Sequence, residues 1–317
     1  MTEIVRLPDI ERALARIDIV AAMERAFASY SRGEVTVPPV GELLFDDPPG
    51  EMHVKYGAIR GDDVFVVKLA TGFPRNAAAG LPAFGGVVLV FSARTGLLLQ
   101  VLLDEGHLTN IRTAAAGAVA AKHLAPKTVS CIGICGSGVQ ARLQAQYLRT
   151  VTDCRRALVW ARDARKAARC VADLALLGFE ADLASSVEAL AGAANLIVTT
   201  TAAEEPYLLA GHIRPGTHVT AVGSDTPGKA ELAPELLALA DLVVVDSRAQ
   251  SLLRGEVHHA IAASRLTADR LVELGEVVAD PSRGRRGNDQ ISIADLTGVA
   301  VQDIALAKAV CAALAGG

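Results

Sequence analysis

Apolar residues change their spacing along the chain, and the spacing predicts the type of element. Between residues 10 and 30 they recur at helical intervals, until Gly33 ends the pattern. Three apolar runs of strand length follow, at residues 64–69, 87–91 and 97–103. The connection Ser92-Ala-Arg-Thr-Gly96 is typical of a turn, so the last two runs are predicted to form a hairpin.

The second half of the chain alternates between strand and helix patterns. An Ala-rich helix is predicted at residues 108–124, and Pro126 closes it and marks a domain boundary. Short apolar runs then occupy residues 129–134, 157–160, 195–200, 218–222, 242–246 and 291–296, before a last helix at 299–314. This alternation predicts an α/β fold with a Rossmann-type doubly wound parallel sheet.

Composition and charge narrow the class of protein. The 317 residues are 51% hydrophobic and 4% aromatic, so we expect two domains with cores of Ala, Val and Leu. A net charge of −4 without long runs of one sign disfavours nucleic acid and membrane surfaces as partners. Glu3, Arg6 and Asp9 replace a signal-peptide pattern, which predicts a soluble, cytoplasmic protein.

The first strand of the alternating region ends in a glycine-rich turn. Gly136-Ser-Gly138-x-x-Ala141 stands between the run at 129–134 and a helical stretch at 139–149. Two glycines let backbone N–H groups approach a pyrophosphate, and the helix N-terminus favours the same anion. The context predicts a dinucleotide site, and the alternative is a tight strand-to-helix turn without a ligand.

No metal centre is predicted. The five cysteines show no metal-ligand spacing and are interpreted as reduced structural residues. His258 and His259 follow Glu256, but neighbouring histidines point apart on a helix or strand. We therefore expect a structural role for these histidines.

Several ordered motifs resemble the ornithine cyclodeaminase/mu-crystallin family across nearly the whole chain. They are Val67-Lys68, Gly72-Phe-Pro-x-Asn76, Asp104-Glu-Gly-x-Leu-Thr109, Arg112-Thr-Ala-Ala-Ala116, Gly136-Ser-Gly-Val-Gln140, His218-Val-Thr-Ala-Val-Gly-Ser-Asp225 and Asp295-Leu-Thr-Gly-Val299. His53-x-Lys55 and Glu256-x-His-His-Ala260 are most similar to a branch associated with ectoine utilisation. The resemblance implies a homodimer with an α+β dimerisation and substrate domain at residues 1–125 and 297–317, and a Rossmann domain at 126–296.

The family transfers hydride between a nicotinamide and the α-carbon of an amino acid or cyclic imine. The resemblance therefore implies an NAD(P)-dependent oxidoreductase for a small α-imino or α-amino acid, of the imine reductase or amino-acid dehydrogenase type. Two alternatives stay open. One is ornithine cyclodeaminase, an ammonia-releasing lyase that returns NAD to its starting state, and the other is a non-catalytic NADP-dependent ligand-binding protein.

Lys68 and Asp225 are the catalytic residues that the resemblance implies. By its own sequence context, Lys68 lies at the end of an apolar strand, and an ammonium that reaches water is the alternative. Asp225 follows the run at 218–222, at the carboxyl end where open α/β sheets bind ligands. The alternative for Asp225 is an Asx-turn.

Arg112 and Lys55 are the substrate-binding candidates. A guanidinium fork suits both carboxylate and phosphate, so Arg112 is expected to contact substrate and cofactor. A solvated helix arginine is the alternative. The family usually has a second arginine near residue 41, where this chain has Val40-Gly41-Glu42, and Lys55 is the candidate to compensate for its absence.

The resemblance also implies a set of cofactor contacts. They are Arg112, Thr113, Gly136, Ser137, Gly138, Val139, Gln140, Arg162, Thr200, Val222, Gly223 and Ser224. Ala161 stands where NAD-preferring members often carry Asp, and Arg162 and Arg165 follow it, which favours NADP over NAD. Asp163 is the alternative ribose ligand if the strand register is shifted by two residues.

Overall fold

The computed structural model describes residues 2–316, and the chain forms two compact units. One unit consists of Met1–Arg112 and Val299–Gly317, and the other consists of Thr113–Gly298. The first unit is therefore discontinuous along the chain. The division lies inside the Ala-rich helix, whereas the sequence analysis puts the boundary after that helix.

Short strands dominate the chain up to residue 103, and a long helix follows. The strands are β1 (Glu3–Arg6), β2 (Val35–Thr36), β3 (Gly41–Asp46), β4 (Pro49–Ile59), β5 (Val64–Gly72), β6 (Phe84–Ser92) and β7 (Leu98–Leu103). The helices are α1 (Leu7–Leu14), α2 (Ile19–Ser31) and α3 (His107–Leu124), with a 3-10 turn at Pro74–Ala79.

Strands and helices alternate from residue 132 onward. They are β8 (Ile132–Cys135), α4 (Val139–Leu148), β9 (Arg156–Trp160), α5 (Ala164–Leu176), β10 (Glu180–Leu183), α6 (Val187–Ala193), β11 (Leu196–Thr199), β12 (His218–Ala221), α7 (Pro234–Leu239), β13 (Leu242–Val245), α8 (Arg248–Ser251), α9 (Glu256–Ala262), β14 (Leu271–Glu273), α10 (Leu274–Ala279), β15 (Ser292–Asp295) and α11 (Ala300–Ala315). Further 3-10 turns lie at Ala210–His212, Ala268–Arg270 and Pro281–Arg283.

The second unit contains a parallel sheet in the order β10-β9-β8-β11-β12-β15-β13-β14. Its central strands β8, β11, β12 and β15 are buried throughout, because helices cover both faces of such a sheet. Successive strands are added on one side of β8 up to β10 and on its other side from β11 onward. The order of strands therefore reverses between β8 and β11, and a doubly wound fold has a crevice for a ligand at such a point. The predicted fold class is confirmed.

The first unit contains a mixed sheet in the order β1-β7-β6-β5-β4-β2, with β3 paired to β4. Strand β1 runs parallel to β7, and the other pairs are antiparallel, so the predicted hairpin of β6 and β7 is confirmed. Strand β5 continues to Gly72, three residues beyond the predicted end. Lys68 therefore lies inside a strand and not at its end.

The sequence analysis missed strand β4 altogether. One side of this strand carries Glu51, His53 and Lys55, and the other side carries Met52 and Val54. The charged side breaks the apolar pattern that usually identifies a buried strand. In register, Lys55 pairs with Lys68 of β5, so both lysines share one face of the sheet.

The two faces of the mixed sheet differ in what covers them. Lys68 and Gly57 face helix α11, since Lys68 pairs with Asp303 and a Cβ on Gly57 would lie 3.2 Å from Ile304 Cδ1. Strand alternation places a row of half-buried or exposed apolar residues on the opposite side. We call this row the outer face, and it consists of Val54, Tyr56, Val67, Leu69, Val87, Leu89 and Val101.

Small side chains in α3 allow close packing inside the second unit. Ala114, Ala115, Ala118 and Ala120 are fully buried, and a Cβ on Gly117 would lie 2.0 Å from Gln144 Oε1. The Ala-rich composition of this helix is therefore a packing requirement. Within residues 2–316, no helix is long and apolar enough to cross a membrane.

Candidate active site and dinucleotide site

Two buried cations of the first unit converge on one carboxylate. Lys68 Nζ lies 3.5 Å from Asp303 Oδ1, and Arg112 Nε lies 3.3 Å from the same oxygen. Arg112 also donates a 3.0 Å hydrogen bond from Nη1 to Gln302 Oε1. Lys68 is 2% exposed and Arg112 is 6% exposed, so neither side chain is the solvated residue of the alternative interpretation.

Lys55 and Asp104 complete this cluster. Lys55 is 7% exposed and pairs in register with Lys68, and its charge acts on Asp303. Asp104 acts electrostatically on Lys68 from the turn before α3. We call these five residues, Lys55, Lys68, Asp104, Arg112 and Asp303, the ion cluster. It holds three basic and two acidic side chains, with an excess of one positive charge when all are ionised.

Burial and neighbouring charges shift the protonation of the ion cluster. Burial lowers the pKa of Lys68, and the charge of Arg112 adds to this effect, whereas Asp303 and Asp104 oppose it. Burial opposes ionisation of Asp303, but Lys68, Arg112 and Lys55 together hold its pKa below the usual value. Burial raises the pKa of Asp104, against the hydrogen bond from the Leu108 N–H. Lys68 is therefore poised to exchange a proton more readily than an ordinary lysine.

Several buried polar atoms of this region make no hydrogen bond within residues 2–316. They are Asp104 Oδ1, Arg112 Nε, Gln302 Nε2 and Asp303 Oδ2. Buried polar groups in proteins nearly always have a partner, so this concentration of unsatisfied atoms marks a candidate position for a polar ligand or an ordered water.

The turn before α3 explains how Arg112 is positioned. Asp104 accepts hydrogen bonds from the N–H of Leu108 at its Oδ2 and from the N–H of His107 at its carbonyl oxygen. Gly106 has a φ of 80°, which a glycine adopts without strain, and Glu105 before it has a φ of 54°, which non-glycine residues rarely adopt. The Asp-Glu-Gly sequence therefore starts the helix, and Arg112 follows in its second turn.

The predicted glycine turn has the geometry of a pyrophosphate cradle. Gly136 has a φ of 125°, and a Cβ there would lie 2.2 Å from Thr200 Oγ1, so only glycine fits. Gly138 is the N-cap residue of α4, and a Cβ on it would meet nothing within 4 Å. Open space beside the first N–H groups of a helix suits a phosphate. The residues present therefore fit a dinucleotide.

Arg142 stabilises this turn and was missed by the sequence analysis. Its Nη1 donates to the carbonyl oxygens of Ser137 and Gly138 at 2.6 and 3.0 Å, and its Nε donates to Asp173 Oδ2 at 2.6 Å. Arg142 therefore fixes the carbonyl groups of the turn. The spacing of Arg142 four residues after Gly138 is the signal that could have revealed it.

Three other predicted cofactor residues flank the turn. Val139 is 58% exposed at the first position of α4. Gln144 Nε2 donates to the Thr113 carbonyl oxygen and to Gln140 Oε1, at 3.2 and 3.4 Å, and so joins both segments. Thr113 and Gln140 are thereby held close to the glycine turn.

Arg162 and Asp163, the two candidates for recognition of the adenosine ribose, follow the end of β9 and have different surroundings. Strand β9 ends at Trp160, and the exposed Arg162 follows. Asp163 is the N-cap residue of α5, and its Oδ1 accepts hydrogen bonds from the N–H groups of Arg165 and Lys166 at 2.9 and 3.2 Å. Asp163 therefore serves as a helix cap.

The predicted acid/base residue Asp225 lies in the loop after β12, beyond Val222, Gly223 and Ser224. Its Oδ1 pairs with Lys229 Nζ at 2.7 Å, and its carbonyl oxygen accepts a hydrogen bond from Arg254 at 3.3 Å. Ser224 donates to the Lys229 carbonyl oxygen and ties the loop back on itself. Asp225 is therefore paired with the lysine four residues further along the chain.

The histidines near α9 have separate partners. His258 Nδ1 contacts the Leu252 carbonyl oxygen, and His259 Nε2 contacts the Lys229 carbonyl oxygen. Among residues 2–316 there is no group of three or more His, Cys, Asp or Glu side chains that could hold a metal ion.

The first unit carries a buried ion cluster, and the second unit carries a parallel sheet with a dinucleotide-type turn, so the chain is a two-unit α/β protein with a candidate nucleotide site. The chain belongs to the ornithine cyclodeaminase/mu-crystallin family, whose model matches residues 2–317. The resemblance drawn from the motifs is thereby confirmed.

Similar proteins cover nearly the whole chain. A Sinorhizobium fredii protein named as an uncharacterized cyclodeaminase is 44% identical over 294 residues, 92% of this chain and 89% of that protein. The iminosuccinate reductase of Paracoccus denitrificans is 35% identical over 91% of this chain and 89% of its own length. A solved structure of an archaeal alanine dehydrogenase dimer with bound NAD has a TM-score of 0.91 and 31% identity, covering 99% of this chain and 96% of that one.

The substitution Asp303→Asn tests the role of the ion cluster in stability. It leaves buried cations without their shared counter-charge, so we expect the free energy of unfolding to fall by about 3–5 kcal/mol in urea titrations near neutral pH. Because the folded state lowers the pKa of Asp303, its contribution is present above about pH 4 and is lost as the pH falls through the folded value.

The matched control is Asp62→Asn, which removes a partly exposed partner of Lys308 in the same unit. We expect a loss below about 1 kcal/mol for this control. Equal losses for the two variants would contradict the account of the ion cluster.

Proposed function

We propose that this chain is an NAD(P)-dependent oxidoreductase that acts on a small α-imino or α-amino acid, as an imine reductase or amino-acid dehydrogenase. The observation that carries the proposal is the ion cluster, which combines excess basic side chains with unsatisfied buried polar atoms. The similarity to an iminosuccinate reductase and an alanine dehydrogenase supports it.

Arg112 and Lys55 are proposed to bind the α-carboxylate of the substrate. A carboxylate is an acceptor for Arg112 Nε and Gln302 Nε2, and it offsets the excess positive charge. Strand β3 begins at Gly41, which has no side chain to replace the arginine common in the family. Lys55 on the adjacent strand β4 is the buried cation that takes over this role.

Lys68 and Asp225 are proposed as the groups that move protons. When bound, the nicotinamide supplies or accepts a hydride at the substrate α-carbon. Reduction of an imine also requires a proton at nitrogen, and the lowered pKa of Lys68 suits this transfer. Asp225 pairs with Lys229 in the loop at the carboxyl end of β12, where open α/β sheets place ligands, and it is proposed as the second acid/base group.

The test of this proposal is turnover by the purified protein. NADPH or NADH is mixed with pyruvate plus an amine, pyrroline-2-carboxylate, piperideine-2-carboxylate or iminosuccinate, and absorbance of the reduced nicotinamide is followed. We expect oxidation with at least one substrate. Asp225→Asn should lower kcat by about 100-fold or more with little change in cofactor Kd, whereas the exposed control Asp182→Asn should match the wild type.

Other outcomes would identify a different function. Release of ammonia from ornithine with catalytic NAD would favour ornithine cyclodeaminase. Tight binding of NADPH with no turnover of any substrate would favour a ligand-binding protein, and unchanged kcat in Asp225→Asn would remove that residue from the mechanism.

NADP is the proposed cofactor, ahead of NAD. Ala161 offers no carboxylate to the ribose, Arg162 is exposed directly after it, and Asp163 is engaged as the cap of α5. A guanidinium in this position suits a 2′-phosphate, whereas NAD-binding sites place an acid there.

Two substitutions test the choice of cofactor. We expect Arg162→Ala to weaken NADPH binding by about tenfold or more and to leave NADH binding nearly unchanged, because a charge-assisted contact is lost. Ala161→Asp should weaken NADPH and improve NADH. The control is Arg169→Ala, an exposed arginine further along α5. Fluorescence titration measures the affinity of each of the four proteins for NADPH and for NADH, and stronger binding of NADH than NADPH by the wild type would contradict the proposal.

A homodimer formed through the outer face is the proposed assembly. An antiparallel sheet normally turns polar residues to water on its uncovered side, but Val67, Leu69, Val87 and Leu89 make this side apolar at its centre. Large exposed apolar patches mark interaction sites. The archaeal alanine dehydrogenase, which is similar over nearly the whole chain, is a dimer.

Light scattering after size-exclusion chromatography tests the dimer. Leu89→Glu places a charge at the centre of the outer face, so we expect a mass near that of one chain, 32.9 kDa. Leu176→Glu is the matched control, since Leu176 is 88% exposed on α5 and its variant should keep the dimer mass. A monomeric wild type, or a dimeric Leu89→Glu protein, would contradict this interface.

A further inference from the structure

One buried carboxylate receives five hydrogen bonds beside the predicted cofactor residues. Glu231 is fully buried in the segment between β12 and α7. Its Oε1 accepts from Thr201 N, Thr201 Oγ1 and Tyr207 Oη at 2.6, 2.7 and 2.8 Å. Its Oε2 accepts from Thr199 Oγ1 and Gly223 N at 2.7 and 2.9 Å. Two of these donors are backbone N–H groups, which cannot become acceptors.

These donors belong to two loops that leave neighbouring parallel strands at their carboxyl ends. Thr199 ends β11 and Thr201 follows it, and Gly223 follows β12. Both loops lie past the point where the strand order reverses, so they border the second mononucleotide half of a doubly wound site. In a nicotinamide dinucleotide with its pyrophosphate on the β8–α4 turn, that half carries the nicotinamide.

The two loops also touch each other at Gly223. A Cβ on this residue would lie 2.2 Å from the Thr201 carbonyl oxygen and 2.5 Å from Glu231 Cδ. The close approach and the shared carboxylate hold the loops in one arrangement. Small displacements of groups that orient a reacting ring are costly for rate, so this arrangement matters for hydride transfer.

Glu231 is itself held by a second carboxyl group. Glu256, the first residue of α9, accepts hydrogen bonds from the N–H groups of Glu231 and Leu232 at 2.9 and 3.1 Å. The N–H of Val257 in turn donates to Asp295 Oδ2 at 2.9 Å at the end of β15. A continuous series of carboxyl-to-backbone contacts therefore runs from β15 to the loops after β11 and β12.

We propose that Glu231 is a positioning residue that fixes the two loops around the nicotinamide half of the bound cofactor. The inference rests on the proposed function, and it concerns a residue that need not touch the substrate or cofactor. A carboxylate is required because it offers acceptors only. In Glu231→Gln, either orientation of the amide turns its NH₂ group toward a backbone N–H, of Thr201 or of Gly223.

The experiment compares two ligands that differ in the nicotinamide. Binding of NADPH and of 2′-phospho-ADP-ribose, which lacks the nicotinamide, is measured by calorimetry for the wild type and Glu231→Gln. We expect Glu231→Gln to weaken NADPH by about tenfold or more and to change 2′-phospho-ADP-ribose by less than about twofold, with a lower kcat for hydride transfer. Glu235→Gln, which alters an exposed partner of Arg265, is the matched control and should match the wild type.

A second variant covers the case in which Glu231→Gln does not fold. Thr199→Val keeps the side-chain shape and removes one donor to Oε2, so we expect a loss of about threefold to fivefold for NADPH alone. Unchanged binding of both ligands in the folded variants, or equal weakening of both, would overturn the positioning role. A wild type that binds neither ligand would overturn the proposed function itself, and with it this inference.

Discussion

The ion cluster around Asp303 is the interaction on which the first unit depends. It joins strand β5, the start of α3 and the C-terminal helix α11, and the Arg112–Gln302 hydrogen bond beside it spans 190 positions of the chain. Removing these charges from water costs several kcal/mol per ion. The cluster is therefore stable only because ion pairs and hydrogen bonds among its members offset that cost. Within residues 2–316, the cluster also leaves buried polar atoms without a hydrogen-bond partner, which is why a carboxylate ligand is proposed there.

The second unit relies on backbone groups rather than on opposed charges. At the glycine turn, Arg142 donates hydrogen bonds to the carbonyl oxygens of Ser137 and Gly138. At the ends of β11 and β12, Glu231 accepts hydrogen bonds from N–H and hydroxyl donors of both loops and so fixes their backbone. In both places a charged side chain is used to orient neutral backbone. This division suits a site that must hold a large dinucleotide by its phosphates and still align one ring.

The parallel sheet and the glycine turn could be predicted from the sequence, because their apolar runs and turn residues are local patterns. Strand β4 was not predicted, although Glu51, His53 and Lys55 alternate with Met52 and Val54, because the strands were identified from continuous apolar runs. The direction of the Lys68 side chain was left open in the sequence analysis, because strand alternation does not say which face of the sheet is covered. Asp303 and Glu231 were missed because their partners lie far away in sequence, and only the fold brings them together. By contrast, the pairing of Asp225 with Lys229 could have been predicted, because the two residues are only four positions apart.

The preference of the enzyme for substrates that carry an α-carboxylate, over substrates that lack it, tests the central claim most directly. The claim is that Arg112 and Lys55 bind this group beside Lys68, so a substrate without it should lose most of its transition-state stabilisation. We would measure kcat/KM with NADPH for pyrroline-2-carboxylate, or for the best substrate found, and for the matching imine that lacks the carboxylate. The account predicts a preference of about 100-fold or more for the carboxylate, which should collapse in Arg112→Met. Equal rates for the two imines, or a preference that survives the loss of Arg112, would contradict it.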